Sequence, residues 1–247
     1  MHQNEGDTVV LNYDNKITRE FGKKANSKVI YFSSKEKIED GVIFDNDVIK
    51  DSENGLRRHI ISTKDIKLRG IHNYENICAA ISATKQFVSI DAQVRAISNF
   101  IGVSHRLEFV KEIDGAKWYN DSIGSSPTRT ISGLNSFTEP IILIAGGYDK
   151  HLDYKPLAKP IIDKVKTLIL MGQTSEKIYQ AVNEILPNYD KHLEIIKVQS
   201  LEEAVNSAKK AARKGDIVLF SPASASFDMF KNFEERGNKF KNLVNKM

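Results

Sequence analysis

The chain has 247 residues, 40% of them hydrophobic and 28% charged, with a formal net charge of +4. This is an ordinary globular composition, long enough for one large or two smaller domains with a real core. No apolar run approaches the roughly 20 residues of a membrane span. The single cysteine, Cys78, excludes an internal disulfide framework and fits a reducing cytoplasm. The densest basic run, Lys209–Lys214, has no interleaved aromatics, so nucleic acid is not expected as a partner.

From the N-terminus, Met1–Asp7 is polar and gives no expectation of a secretory leader. Residues 8–12 and 28–33 read as short strands, and residues 41–61 as antiparallel strands turning at Asn46-Asp47 and Asn54-Gly55. A helix is predicted over Asn73–Phe87, holding Cys78 as a small core residue, and a second over Asp91–Phe100 with Asp91 as its N-cap. This first segment is mixed and looks like part of a larger sheet domain, with unpaired edges and lower stability.

Gly102–Arg106 marks the expected boundary. Leu107–Lys111 and Lys117–Asn120 pair about Asp114-Gly115, and four apolar runs follow, at 141–145, 167–171, 194–198 and 216–220. Helical patterns separate them at 156–166, 175–186 and 200–214, and a last helix is predicted over about 226–245, capped by Ser224 or Ser226 with Asp228 in its first turn. Strands alternating with helices imply an α/β fold: a Rossmann-like, mostly parallel, doubly wound sheet. It lacks a GxGxxG fingerprint, so dinucleotide binding is not supported. Ligands in such sheets sit at the carboxyl ends of strands, where Asn120–Ser122, Gly146–Lys150, Gly172-Gln173 and Ser221–Ser226 all fall.

Three ordered segments carry a resemblance: Arg69–Asn76 (RGIHNYEN), Asn120–Thr130 (NDSIGSSPTRT) and Ser221–Gly237 (SPASASFDMFKNFEERG). Together they resemble the Mur ligases, the ATP-dependent amide-forming enzymes of peptidoglycan synthesis, from about residue 8 to the end. The family's phosphate loop, ending Gly-Lys-Ser/Thr, does not occur in these 247 residues. The resemblance therefore implies a C-terminal fragment: residues 1–104 as the later part of the central ATPase domain and 105–247 as the Rossmann-like C-terminal domain, probed alone an inactive half.

The implied reaction is phosphorylation of the carboxylate of UDP-N-acetylmuramoyl-L-alanine by ATP, then attack by the amine of D-glutamate, in the cytoplasm and by a monomer. Mg²⁺ is implied too, with its ligands outside this chain. The resemblance places Asn76, Arg106 and Asp121 against the nucleotide, and Ser125, Lys150, Ser226 and Phe233 against D-glutamate. Each has a plainer reading: a helix-surface amide for Asn76, a linker ion pair for Arg106, a strand-end cap for Asp121, core packing for Phe233. Ile123 departs from the lysine some members carry there, so that contact is absent or replaced. His72 is read as structural rather than as a base or metal ligand. The alternatives are another ligase of the superfamily, such as folylpolyglutamate synthetase, or a non-catalytic module binding a small acid or a partner protein.

Overall fold

A computed structural model describes residues 3–247, which divide into two compact units, 3–101 and 102–247. The first unit holds β1 (Thr8–Asn12), α1 (Lys16–Lys23), β2 (Lys28–Ser33), β3 (Gly41–Asp45), β4 (Val48–Glu53), β5 (Leu56–Ser62), α2 (Ile71–Thr84) and α3 (Ile90–Asn99). Its sheet runs in chain order, parallel across β1, β2 and β3 and antiparallel from β3 to β5. The hairpin turns are where the sequence put them, with Asn46, Asp47, Asn54 and Gly55 all at positive φ, the backbone that two-residue turns demand. Val42, Ile49, Ile61, Ile77, Cys78 and Ile81 make its core beneath α2.

The second unit holds β6 (Glu108–Ile113), β7 (Ala116–Asn120), α4 (Pro127–Leu134), β8 (Ile141–Ala145), α5 (Lys155–Lys164), β9 (Val165–Leu170), α6 (Ser175–Ile185), β10 (Glu194–Lys197), α7 (Leu201–Ala211), β11 (Ile217–Phe220) and α8 (Phe233–Asn245). The strand order is β10-β9-β8-β11-β7-β6; only the β6–β7 pair is antiparallel. Alternate residues of each strand face opposite ways. Leu143, Leu168 and Leu219 pack with Leu134, Leu157, Ile161 and Val182 of α4, α5 and α6. Ile142, Ile169 and Val218 pack on the other face with Leu201 and Val205 of α7 and Phe240 and Val244 of α8. The expected doubly wound α/β unit is therefore present.

Four local expectations are corrected. The last helix begins at Phe233, not near residue 226, and its N-cap is Asn232, whose side chain accepts from the Glu235 N–H at 2.8 Å. Glu235 accepts from the Lys231 N–H at 2.7 Å, one residue before the cap, so Asn232-x-x-Glu235 closes the helix start in the manner of a capping box. Ser224 is instead fully buried, sharing hydrogen bonds at 2.8 Å with Tyr154 Oη and Thr174 Oγ1, and Asp228 lies in the loop. The cap of α3 is Ser89, accepting from the Ala92 N–H, rather than Asp91. Helices α1 and α4 were not anticipated; Pro127 at the start of α4 was the available signal.

Candidate functional site

In the second unit the chain leaves β8 towards α5 on one face of the sheet and leaves β11 towards α8 on the other. The connections of these neighbours therefore diverge at their carboxyl ends, the switch point where doubly wound sheets bind ligands. Gly146 and Gly147 enter it at φ of 110° and 152°, and a side chain at either would strike backbone, Met171 O for Gly146 and Ala225 O for Gly147. The closeness is used: the Tyr148 N–H donates to Ala225 O at 2.9 Å, and the Gly146 N–H to Pro222 O at 2.8 Å. That stitch joins the loop that carries Lys150, two residues past Tyr148, to the loop that carries Ser226, one past Ala225.

Lys150 is exposed and makes no ion pair with the described residues; its Nζ lies 5.4 Å over the Phe227 ring. The neighbouring cations differ. Lys177 Nζ is held by Asp149 at 2.5 Å, and the His151 ring lies 3.7 Å from the same carboxylate. An ammonium poised over an aromatic face with no carboxylate is available to an anion. Phe227 is 58% exposed and stands edge-on to Tyr148 at 6.0 Å, so the cation has an apolar floor.

Asp121 continues the rim from β7. It is 4% exposed; its Oδ2 accepts from Ser221 Oγ at 2.7 Å and its Oδ1 from the Leu107 N–H at 3.2 Å. Burial pushes its carboxyl up to about 6, against the lowering effect of those two hydrogen bonds and of the Arg106 and Arg129 charges. Thr130 Oγ1 extends the chain to Ser221 Oγ at 2.9 Å. The strand-end tie is thus real, and it presents Asp121 at the mouth of the β7–α4 turn.

Ser226 is 3% exposed, and its carbonyl accepts from the Met229 and Phe230 N–H groups. Ser125 is half-buried in the β7–α4 turn, donating its N–H to Ile123 O at 2.7 Å. Phe233, half-buried, packs edge-on against His105 at 5.9 Å, and its carbonyl accepts from Ser122 Oγ at 2.8 Å. Arg106 is exposed, and its charge reaches Asp121. Ile123 is half-buried and its N–H donates to His105 O at 3.1 Å. Of the seven expected residues, six belong to this unit. Asn76 lies on the exposed side of α2 in the first unit.

The residues not anticipated are those beneath the rim. His105 is buried; burial holds its pKa below the ordinary histidine value, so the ring is neutral at pH 7, and Asn120 Nδ2 lies 3.0 Å from Nδ1. Arg236 is fully buried. Among the described residues no cluster of three or more His, Cys, Asp or Glu side chains could hold a metal. The described residues therefore do not fit a Mg²⁺ site. No helix of the described residues is long and apolar enough to cross a membrane.

Residues 1–84 match the Mur ligase middle domain, and residues 105–224 the Mur ligase glutamate ligase domain. The chain belongs to the Mur ligases. It is 47% identical over its whole length to a UDP-N-acetylmuramoylalanine–D-glutamate ligase of Clostridium novyi, and 49% identical over 99% of its length to the enzyme of that name from Acetivibrio thermocellus. It spans 53% of each of those relatives, about half their length. Among solved structures, UDP-N-acetylmuramate-alanine ligase MurC from Thermotoga maritima is similar over 97% of this Mur ligase chain and 52% of its own, with a TM-score of 0.68 at 16% identity. MurF from Acinetobacter baumannii matches over 97% and 53%, with a TM-score of 0.66 at 15% identity. These two share the fold.

Proposed function

We propose that this chain carries the acceptor side of a UDP-N-acetylmuramoylalanine–D-glutamate ligase, which uses ATP to join D-glutamate to UDP-N-acetylmuramoyl-L-alanine in peptidoglycan synthesis. The observation that carries the reading is Lys150, a solvent-facing cation with no ion-pair partner among the described residues, on the loop that is hydrogen-bonded to the one carrying Ser226. Its ammonium binds one carboxylate of D-glutamate; the Ser226 hydroxyl and the Phe233 segment receive the other. Ser125 adds a hydroxyl from the β7–α4 turn. Two carboxylates fixed at separate points leave the amine in one orientation, which converts attack on an acyl phosphate into a positioned, effectively intramolecular step.

Asp121 accepts a hydrogen bond from a ribose hydroxyl of ATP, and Arg106 offers its guanidinium to the nucleotide's phosphate or ribose. The phosphate grip and Mg²⁺ are not supplied by the residues described. Residues 1–104 and 105–247 act as the two domains of this arrangement, in the cytoplasm, with the small-molecule substrates as its partners.

The test is isothermal titration of the 247-residue chain with D-glutamate, L-glutamate and D-alanine. Weak binding that prefers D-glutamate and falls at least tenfold in Lys150→Met is the expected outcome, since a hydrogen bond to a charged group contributes about 1.5–3 kcal/mol and about 1.4 kcal/mol is tenfold. Equal binding of all three, or indifference to Lys150→Met, would sink the reading.

A further inference from the structure

Arg236 stands out among the buried side chains that the chemistry above does not use. Its guanidinium is 0% exposed, yet no carboxylate of the described residues pairs with it; the acidic group whose field reaches it is Asp228. Burial lowers its pKa to about 10, so it remains a cation at neutral pH. It spends its donors on neutral oxygens: Nε on Ser122 Oγ at 3.0 Å, Nη2 on Ser122 O at 2.8 Å, and Nη1 on Ser224 O at 3.1 Å and Ala225 O at 2.9 Å. A third loop closes over the same group, because the space beside Gly147 that a side chain would fill is bounded by Arg236 Nη1.

A buried, unpaired cation is expensive. A core-packing role needs no charge; Phe220 and Phe240 fill the space beside it without one. What the charge does here follows from which carbonyls it draws inward. Ala225 O accepts from both Arg236 and the Tyr148 N–H, so one oxygen joins α8, the β11 loop and the β8 loop. In a trans peptide the next N–H points the opposite way, so pulling Ala225 O inward turns the Ser226 N–H outward from the buried side. The carbonyl dipoles are only partial counter-charges.

We infer that Arg236 is a positioning residue of the acceptor site: it locks the loops that carry Lys150 and Ser226 into one frame and adds a fixed positive charge beneath the substrate carboxylate. The inference rests on the acceptor reading above. It makes the site electropositive from below as well as from Lys150, and it explains why an exposed lysine suffices at the surface.

The experiment pairs Arg236→Lys with Arg236→Met in the full 247-residue chain, and adds Ser122→Ala as a milder cut of the same brace. Two quantities are read: D-glutamate affinity of the folded protein, and amide hydrogen exchange at Tyr148 and Ser226 relative to the core strands. Arg236→Met is expected to weaken D-glutamate roughly tenfold or more, with Arg236→Lys recovering part of the loss, because a charge in a low-dielectric site acts over several ångströms. Exchange at Tyr148 should rise in Arg236→Met and, by less, in Ser122→Ala, beyond any rise in β8 or β11. A purely structural arginine would raise exchange everywhere together and leave folded-state affinity unchanged, which would overturn the inference. If the unsubstituted chain fails to bind D-glutamate, the acceptor reading falls, and unaltered Tyr148 exchange in Arg236→Met would overturn the brace on its own.

Discussion

The two units solve the same problem, covering a sheet, to different extents. In the second, β8 and β11 are buried at every position, because α4, α5 and α6 cover one face and α7 and α8 the other. In the first, β1 has no fully buried residue, β2 has two, and Ile17 and Phe21 of α1 are more than half exposed. Parallel strands reach their stability by burial on both faces. The difference teaches where function can be built: a fully packed sheet can carry a strained, polar rim, with glycines at positive φ and an unpaired buried arginine, because its core over-determines the rim's geometry.

The comparison can be broken by truncating a leucine in each unit. Leu143→Ala empties a fully buried position between β8 and the helices and should cost about 2–5 kcal/mol. Leu11→Ala, on half-buried β1, should cost less than about 1 kcal/mol. Urea denaturation of both variants measures the contrast, and similar losses would mean that the first unit is as tightly packed as the second.

A pH experiment sharpens it at the rim. Asp121 has an ordinary aspartate value near 3.8 when unfolded and about 6 when folded, so between those values the native state holds a proton that the unfolded state has lost. Stability therefore falls as pH rises from about 4 to about 6 and is level above, by at most about 2–3 kcal/mol. Asp121→Asn should flatten that segment of the stability profile. A profile unchanged by the substitution would mean that the buried carboxyl ionises as freely as in water.

Most of the second unit was legible because its strands are near-continuous apolar runs alternating with amphipathic helices, a pattern that local burial enforces. The rim loops were legible as Gly146-Gly147 and Ser221–Ser226 because close backbone approach requires small residues. The start of α8 was not: Ser224 and Ser226 looked like caps, but both are taken into the buried polar layer, and Asn232-x-x-Glu235 further on carried the real signal. The role of Arg236 was equally hidden. In a helix that also carries Lys239 and Lys241 nothing local separates a solvated cation from a buried one; only the packing of α8 against Ser122 and Ala225 does so.

The most direct check is a two-dimensional NMR titration of the isotopically labelled chain with D-glutamate, using L-glutamate as the reference. Shifts are expected to concentrate at Lys150, Ser226, Ser125 and the Phe233 turn, to be stronger for the D enantiomer and to be absent from β1–β5. Shifts centred in the first unit, or none for either enantiomer, would contradict it.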